Sequence, residues 1–430
     1  MFKCKPLAAA IIAILASQAY ADDNSAEQSQ SGADNIVEVT QTGGQDNLSY
    51  QSQIGASNDG MVTQNQATLS DAVQTQTGNL NRADIVQDST EQSEAIQLQQ
   101  GDSHDASIVQ NGSFGASARQ YQDGSYNTAI TEQTAADMST AVTEQDGSDN
   151  YAETIQSNTE SSVSEQRQTG AENISLVWQD GGARNEAGVD QQGNLNDASV
   201  YQTNAFDSRA KIEQQGDSQV ASVMQQGSDH TASIQSTGLM NEAYIDQTGS
   251  LQSASIYQDG TSHSADIFQA GQNNTASTEQ TGNNNYLTID QLDGNFQTAS
   301  LQQNGEYNEA YIAQTGTDHL IDFAQDGADN LLTVEQRGNG NGNGNELTGT
   351  SYGDNNRVDV MQDGDLNVAD IQQIYGSDNE VSLAQTGEGH LAQVIQGGTA
   401  NQAMLDQSGM GNSAMVSQMG SGNMAIVTQQ

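Results

Sequence analysis

The sequence predicts an all-β protein: a parallel β-solenoid of stacked strand-turn-strand rungs that form two facing sheets. Three observations carry this reading. Gln recurs on a fixed grid from Gln41 to Gln429, and so regular a period of about 20–50 residues marks a stacked-repeat architecture. Around each Gln, side-chain character alternates by two, the signature of a half-buried strand. Gly and Asn then recur at fixed offsets where the chain must turn.

In chain order, residues 1–21 come first. A basic start, "MFKCK", an apolar run, "LAAAIIAILA", and a small-x-small "AYA" read together as a secretory signal peptide. Cys4 lies in the basic start, not after the apolar run where a lipid-attachment cysteine would sit. Cys4 and Pro6 are the only residues of their kinds, so a processed chain builds no disulfides although it is exported. Residues 22–35, "DDNSAEQSQSGADN", read as an acidic N-terminal segment, and 36–430 as the repeat array. Without Lys3 and Lys5, eight basic residues face 56 carboxylates, a balance of −48. Nucleic acid needs clustered Lys and Arg, and anionic membranes repel such a chain, so neither is an expected partner and no membrane insertion is expected.

Within the array, one Gln series runs Gln41, Gln64, Gln87, Gln110, Gln133, Gln156, Gln179, Gln202 and Gln225, each 23 residues from the last. A second, Gln53, Gln76, Gln99, Gln122, Gln145, Gln168, Gln191 and Gln214, divides each period into 12 and 11; beyond Gln225 the step is mostly 22. Two residues before the first series stand Val62, Ile85, Ile108, Val177, Val200 and their equivalents, and four before stand Ala83, Ala106, Ala129 and Ala152. The residues between are polar or acidic. Each period is therefore two short strands and two tight turns, with Gly78 and Gly147 supplying permissive backbone and Asn81 and Asn150 tolerating left-handed conformations. About seventeen rungs at ~4.8 Å spacing predict a rod roughly 80 Å long. Inward amides at Gln53, Gln64, Gln76, Gln87, Gln145 and Gln156 are costly to bury alone, but in register each bonds the Gln one rung away. Two residues before the second series stand Gln51, Gln74, Gln97, Gln120, Thr143 and Gln166, then Val189 and Ile212. The N-terminal third should thus have the wetter core.

The spacing Ser70-x5-Gln76-x-Gly78-x2-Asn81-x-Ala83-x3-Gln87 closely resembles the curlin repeat of curli-type bacterial amyloid subunits. Residues 139–156 match it at every fixed position, and Ser208 to Gln225 at all but one, where Gln219 stands for Asn. The resemblance covers about nine-tenths of the chain. It implies a secreted structural subunit that polymerises into extracellular cross-β fibres of a biofilm matrix and mediates surface adhesion. It also implies a dedicated secretion channel, a periplasmic chaperone and a nucleating minor subunit as partners, besides self. The array is much longer than the usual handful of curlin repeats. At 337–355 an irregular Gly/Asn-rich insertion, within a 26-residue period, nearly erases a strand.

No nucleophile, base and orienting acid stand apart from the repeat, so no enzyme and no cofactor are expected. His104, His230, His263, His319 and His390 each fall five residues after an anchor Gln, the column Asn usually holds, which favours a turn role over a metal site. The run Gly338 to Asn345 lacks the Lys-Ser/Thr ending of a phosphate loop and the repeated Asp of a calcium turn, and reads as an enlarged loop. Loose divalent-cation binding by outward carboxylates is an alternative that makes the chain a calcium-binding matrix protein. A monomeric solenoid adhesin is another, but its outward columns would be flat and uniform, and here they are mixed. An outward column of Val86, Val109, Glu132, Ile155, Trp178, Tyr201 and Met224 reads as cross-strand packing, with lateral association of fibrils as the functional reading. Finally, "NMAIVTQQ" places Ala425, Val427 and Gln429 on a last strand with no Asp or Glu from Gln407 onward, an expected assembly edge.

Overall fold

A computed structural model describes residues 23–338 and 343–430. The signal-peptide reading of 1–21 and the centre of the insertion lie outside the described residues. The described chain has 36 strands and no helix, from β1 (Ser25–Ala33) to β36 (Met424–Gln429). Odd- and even-numbered strands make separate sheets of 18 strands each. Every strand pairs in parallel with the strand one rung before and after: β3 (Leu48–Ala56) pairs β1 and β5 (Asp71–Asn79) with Gln53 opposite Gln30 and Gln76. Both sheets are open-ended stacks. β2 (Ile36–Thr42) pairs β4 (Asp59–Asn65) along one edge, and β36 pairs β34 (Gln402–Met410) along one edge.

The all-β solenoid read from the sequence is the fold, with one more rung than expected. The unexpected strand is β1, which completes a first rung with β2, so the array reaches into the stretch set apart as an acidic N-terminal segment. Gln30, Gly32 and Asn35 already stand in phase with Gln53, Gly55 and Asn58. They were overlooked because β1 holds nothing larger than Ala26 and Gln28 in its inward columns, and so shows no apolar alternation. Eighteen rungs at about 4.8 Å give a rod of about 85 Å.

The change of period has a local cause. Through Gln202, the turn after each even strand is long and carries two left-handed residues, such as Gln66 and Leu69 or Ser89 and Gln92. After Gln225 it is mostly one residue shorter, as at Gly227 and Asp229, and the long form returns once at Asp293 and Phe296. The pairing register slips where turns of different length meet, between Gln202 and Phe206 and again between Gln269 and Gly271, and a third slip lies between Gln373 and Tyr375.

The insertion does not erase its strand. β29 (Glu346–Tyr352) forms in full and pairs β27 (Leu320–Ala328) and β31 (Val368–Ser377). What changes is its inward chemistry. Gly349 takes the apolar column and Ser351 the Gln column, and Phe323 on the neighbouring rung fills the room left by Gly349. A Cβ there would meet the Phe323 ring at 2.6 Å.

The core follows the predicted gradient. One apolar cluster runs from Val177 to Val416 with Ala425 and Val427 packed on it; a smaller one joins Val62, Ala72, Ile85, Ala95, Ile108 and Ala118. Between them the interior is polar. Gln120 donates to Thr131 (3.0 Å), and Thr154 donates to Gln166 (3.0 Å). The N-terminal third adds a third amide ladder through Gln51, Gln74, Gln97 and Gln120, with links of 2.7–3.0 Å.

Candidate functional site: axial ladders and edge strands

Every strand but the two that carry Ser236 and Ser351 brings an anchor Gln to the rod's interior, and stacking aligns these positions into two columns. In the even sheet the column is unbroken. Seventeen Nε2–H···Oε1 links of 2.7–3.0 Å join Gln41, Gln64, Gln87, Gln110, Gln133, Gln156 and so on to Gln429. The odd column runs likewise from Gln30 through Gln53, Gln76 and Gln145 to Gln214. It resumes at Ser236 and again at Ser351, whose hydroxyls donate to Gln258 (2.9 Å) and Gln373 (2.7 Å). The second amide hydrogen goes to backbone: Gln87 Nε2 donates to the Asp71 carbonyl at 3.2 Å and Gln76 Nε2 to that of Asp59 at 3.1 Å. A primary amide has donors and an acceptor at opposite ends, which is why Gln and not Leu fills a buried column.

Every link points the same way, each amide donating toward the C-terminal rung. The rod is therefore polar. Gln30 and Gln41 turn acceptor oxygens toward its N-terminal face, and Gln418 and Gln429 turn donor nitrogens toward its C-terminal face.

Ala83 is buried between Gly60 and Ala106 of the adjoining rungs. Gly78 and Gly147 have φ of 126° and 129°, and a Cβ on either would lie 1.8–1.9 Å from the next Gly carbonyl oxygen. That column admits only glycine.

The Asn column needed correcting. Asn81 and Asn150 are not the left-handed residues; Leu80 and Asp149 before them are, with φ of 59° and 56°. Asn is there for its amide. Asn150 Oδ1 accepts the backbone N–H of Asn173 on the next rung (3.1 Å), and its Nδ2 donates to the Gly170 carbonyl (2.9 Å). Sequence reasoning weighed Asn as a turn former and missed this second pair of ladders. The signal was present: apart from Ala116, it is His, Gln and Ser, all able to bond at two ends, that replace Asn in the column.

The five histidines do so. Each is buried, with Nε2 3.0–3.3 Å from the carbonyl four residues earlier. The Nδ1 atoms of His104, His263, His319 and His390 accept a backbone N–H from the next rung at 3.0–3.3 Å. Their ring nitrogens serve the turns.

The outward column falls where the alternation placed it, with Val86, Val109, Ile155 and Tyr201 half-buried and Glu132, Trp178 and Met224 exposed. At the last rungs, Ala425, Val427 and Gln429 are half-buried and inward. What the sequence reading passed over there is methionine. Met404, Met410, Met415, Met419 and Met424 are all more than half exposed, five of the chain's 11 Met within 21 residues.

One continuous polar ladder, a second that breaks and resumes, an obligatory glycine column and open sheet edges define a structural repeat protein of the curli type. The curlin associated repeat model matches residues 205–238, 241–269, 260–292, 298–327, 353–387 and 390–430, and the chain belongs to that family. The matches begin close to where the shorter turn takes over, although the ladders continue unchanged to the N-terminal rung. No curated protein matches the chain.

Proposed function

We propose that this chain is a secreted subunit that polymerises end to end into extracellular curli-like amyloid fibres of the biofilm matrix and mediates adhesion to surfaces. The observation that carries the reading is the polarity of the ladders. Donor amides at Gln418 and Gln429 meet acceptor amides at Gln30 and Gln41 if a second copy stacks head to tail, and the parallel register continues across the joint. Such a contact is heterologous and does not close, so it generates filaments. Unpaired backbone along β36 and along β35 (Ser413–Ser421) supplies further bonds. The charge distribution fits: residues from Gln407 onward include no Asp or Glu, so the acidic N-terminal rung of a second copy meets less repulsion there than elsewhere on the rod. Export through a dedicated channel, a chaperone and a nucleating subunit belong to the same proposal, as the resemblance to curli-type subunits implies. Seeded growth tests it. Val427→Pro removes a backbone donor and breaks β36, so elongation should slow at least tenfold beside a Ser421→Ala control, with internal rungs still folded. Unchanged elongation by the proline variant would remove the C-terminal edge from the account.

A further inference from the structure

We infer that four turn histidines, His104, His230, His263 and His319, are protonation-sensitive latches, which hold the rungs at neutral pH and loosen them as pH falls below about 6.5. The inference concerns the folding of a single chain and stands whether or not the chain polymerises.

The geometry fixes one protonation state. In His104, Nε2 faces the Gln100 carbonyl at 3.1 Å and must carry the hydrogen, because a carbonyl only accepts. Nδ1 faces the Asn127 backbone N–H at 3.3 Å and must be bare. His263 repeats this between the Asp259 carbonyl (3.3 Å) and Asn285 N–H (3.3 Å), and His319 between the Thr315 carbonyl (3.0 Å) and Asn345 N–H (3.0 Å). A second proton would set N–H against N–H inside a buried turn and cut the link to the next rung. His230 shares the Nε2 contact, to Gln226 at 3.1 Å, and its buried Nδ1 has no partner to receive a proton's hydrogen bond.

The charged groups facing these rings are carboxylates: Asp102 and Asp123 at His104, Asp229 at His230, Asp259 at His263, and Asp318 and Asp365 at His319. They favour the imidazolium. Burial is the larger effect and holds all four rings below the usual histidine range. The sign follows. The unfolded chain takes up protons near pH 6.5 and the folded chain only at lower pH, so stability is full above that value and is lost as pH falls through the window between the two. Each ring changes the folding equilibrium by up to about tenfold per pH unit within its window.

Asn is the natural occupant of the column and does not titrate. The test compares the mature chain with His104→Asn/His230→Asn/His263→Asn/His319→Asn, leaving His390 in both proteins. Denaturant midpoints are measured at pH 7.5 and 5.5, with 15N spectra of labelled histidine. Carboxylates respond alike in the two proteins, so the difference between them reports the histidines. The wild-type midpoint should fall relative to the variant's by at least a tenfold loss in the folding equilibrium, and the folded rings should show the Nε2–H neutral tautomer at pH 6. Equal pH dependence, or rings charged at pH 6, overturns the proposal. If the fourfold variant does not fold, His263→Asn alone and the spectra of the wild-type rings decide.

Discussion

Replacing Gln87 with Leu isolates what an amide ladder contributes beyond bulk. Gln87 is fully buried; its Oε1 accepts from Gln64 Nε2 at 2.8 Å, and its Nε2 donates to Gln110 Oε1 at 2.9 Å. Leucine fills the space but leaves the Gln64 donor and the Gln110 acceptor without their axial partners. Two orphaned groups at ~1–3 kcal/mol each cost ~2–6 kcal/mol, and burial of the leucine side chain returns about 1–2 kcal/mol of that. At mid-range values the net expectation is a loss of about 2.5 kcal/mol, read as a lower denaturant midpoint of residues 22–430 and slower seeded growth. The comparison is Asp84→Ser, three residues away on the outward face. Asp84 is half-buried, one of its carboxylate oxygens has no partner, and burial holds its carboxyl above the usual range despite Arg82. Its removal should be neutral or mildly stabilising. Equal losses at the two positions would falsify the inward assignment of the Gln column.

Two glycines should behave oppositely. Gly78→Ala places a methyl 1.8 Å from the Gly101 carbonyl oxygen and should prevent folding of its rung, whereas Gly188 faces open space at an ordinary φ. Gly188→Ala should therefore raise stability by about 0.5–1 kcal/mol, and thermal unfolding of the two variants distinguishes them. Salt and mild acid should both speed assembly, because excess negative charge repels along and between rods. Burial also raises the carboxyls of Asp197, Asp246 and Asp290. The folded chain thus takes up protons before the unfolded one, and these groups add stability as pH falls toward the ordinary carboxylate range. Assembly that is fastest at low salt and neutral pH contradicts this.

The fold was legible because stacking writes the same constraint into every rung. Alternation about Ile85 or Val200 gave the strands, and the Gln grid gave the register. What escaped the reading lacked one of those marks. β1 has the grid but no apolar residue to alternate, and β29 keeps its strand although Gly349 and Ser351 replace both inward residues, because Phe323 fills from the neighbouring rung. That compensation lies between rungs, where a pattern read along the chain does not reach. The Asn column was located correctly and explained wrongly. Both a left-handed residue and a two-ended amide prefer Asn, and only the backbone angles of Leu80 and Asp149 separate the two causes. The exposed methionines of the last rungs follow no column, so the repeat gave no reason to single them out.

Mass per unit length of assembled fibres, with their axial diffraction, tests the central claim most directly. If each copy adds as one intact solenoid continuing the ladders of the last, a single filament carries one chain of at most 45.3 kDa per eighteen rungs. At about 4.8 Å per rung that is about 0.5 kDa per Å, with a meridional reflection at about 4.8 Å. Laterally bundled filaments should give whole multiples of it. A single filament at several times that density, or one whose strands do not run across the fibre axis, means that the chain does not polymerise by stacking this solenoid end to end.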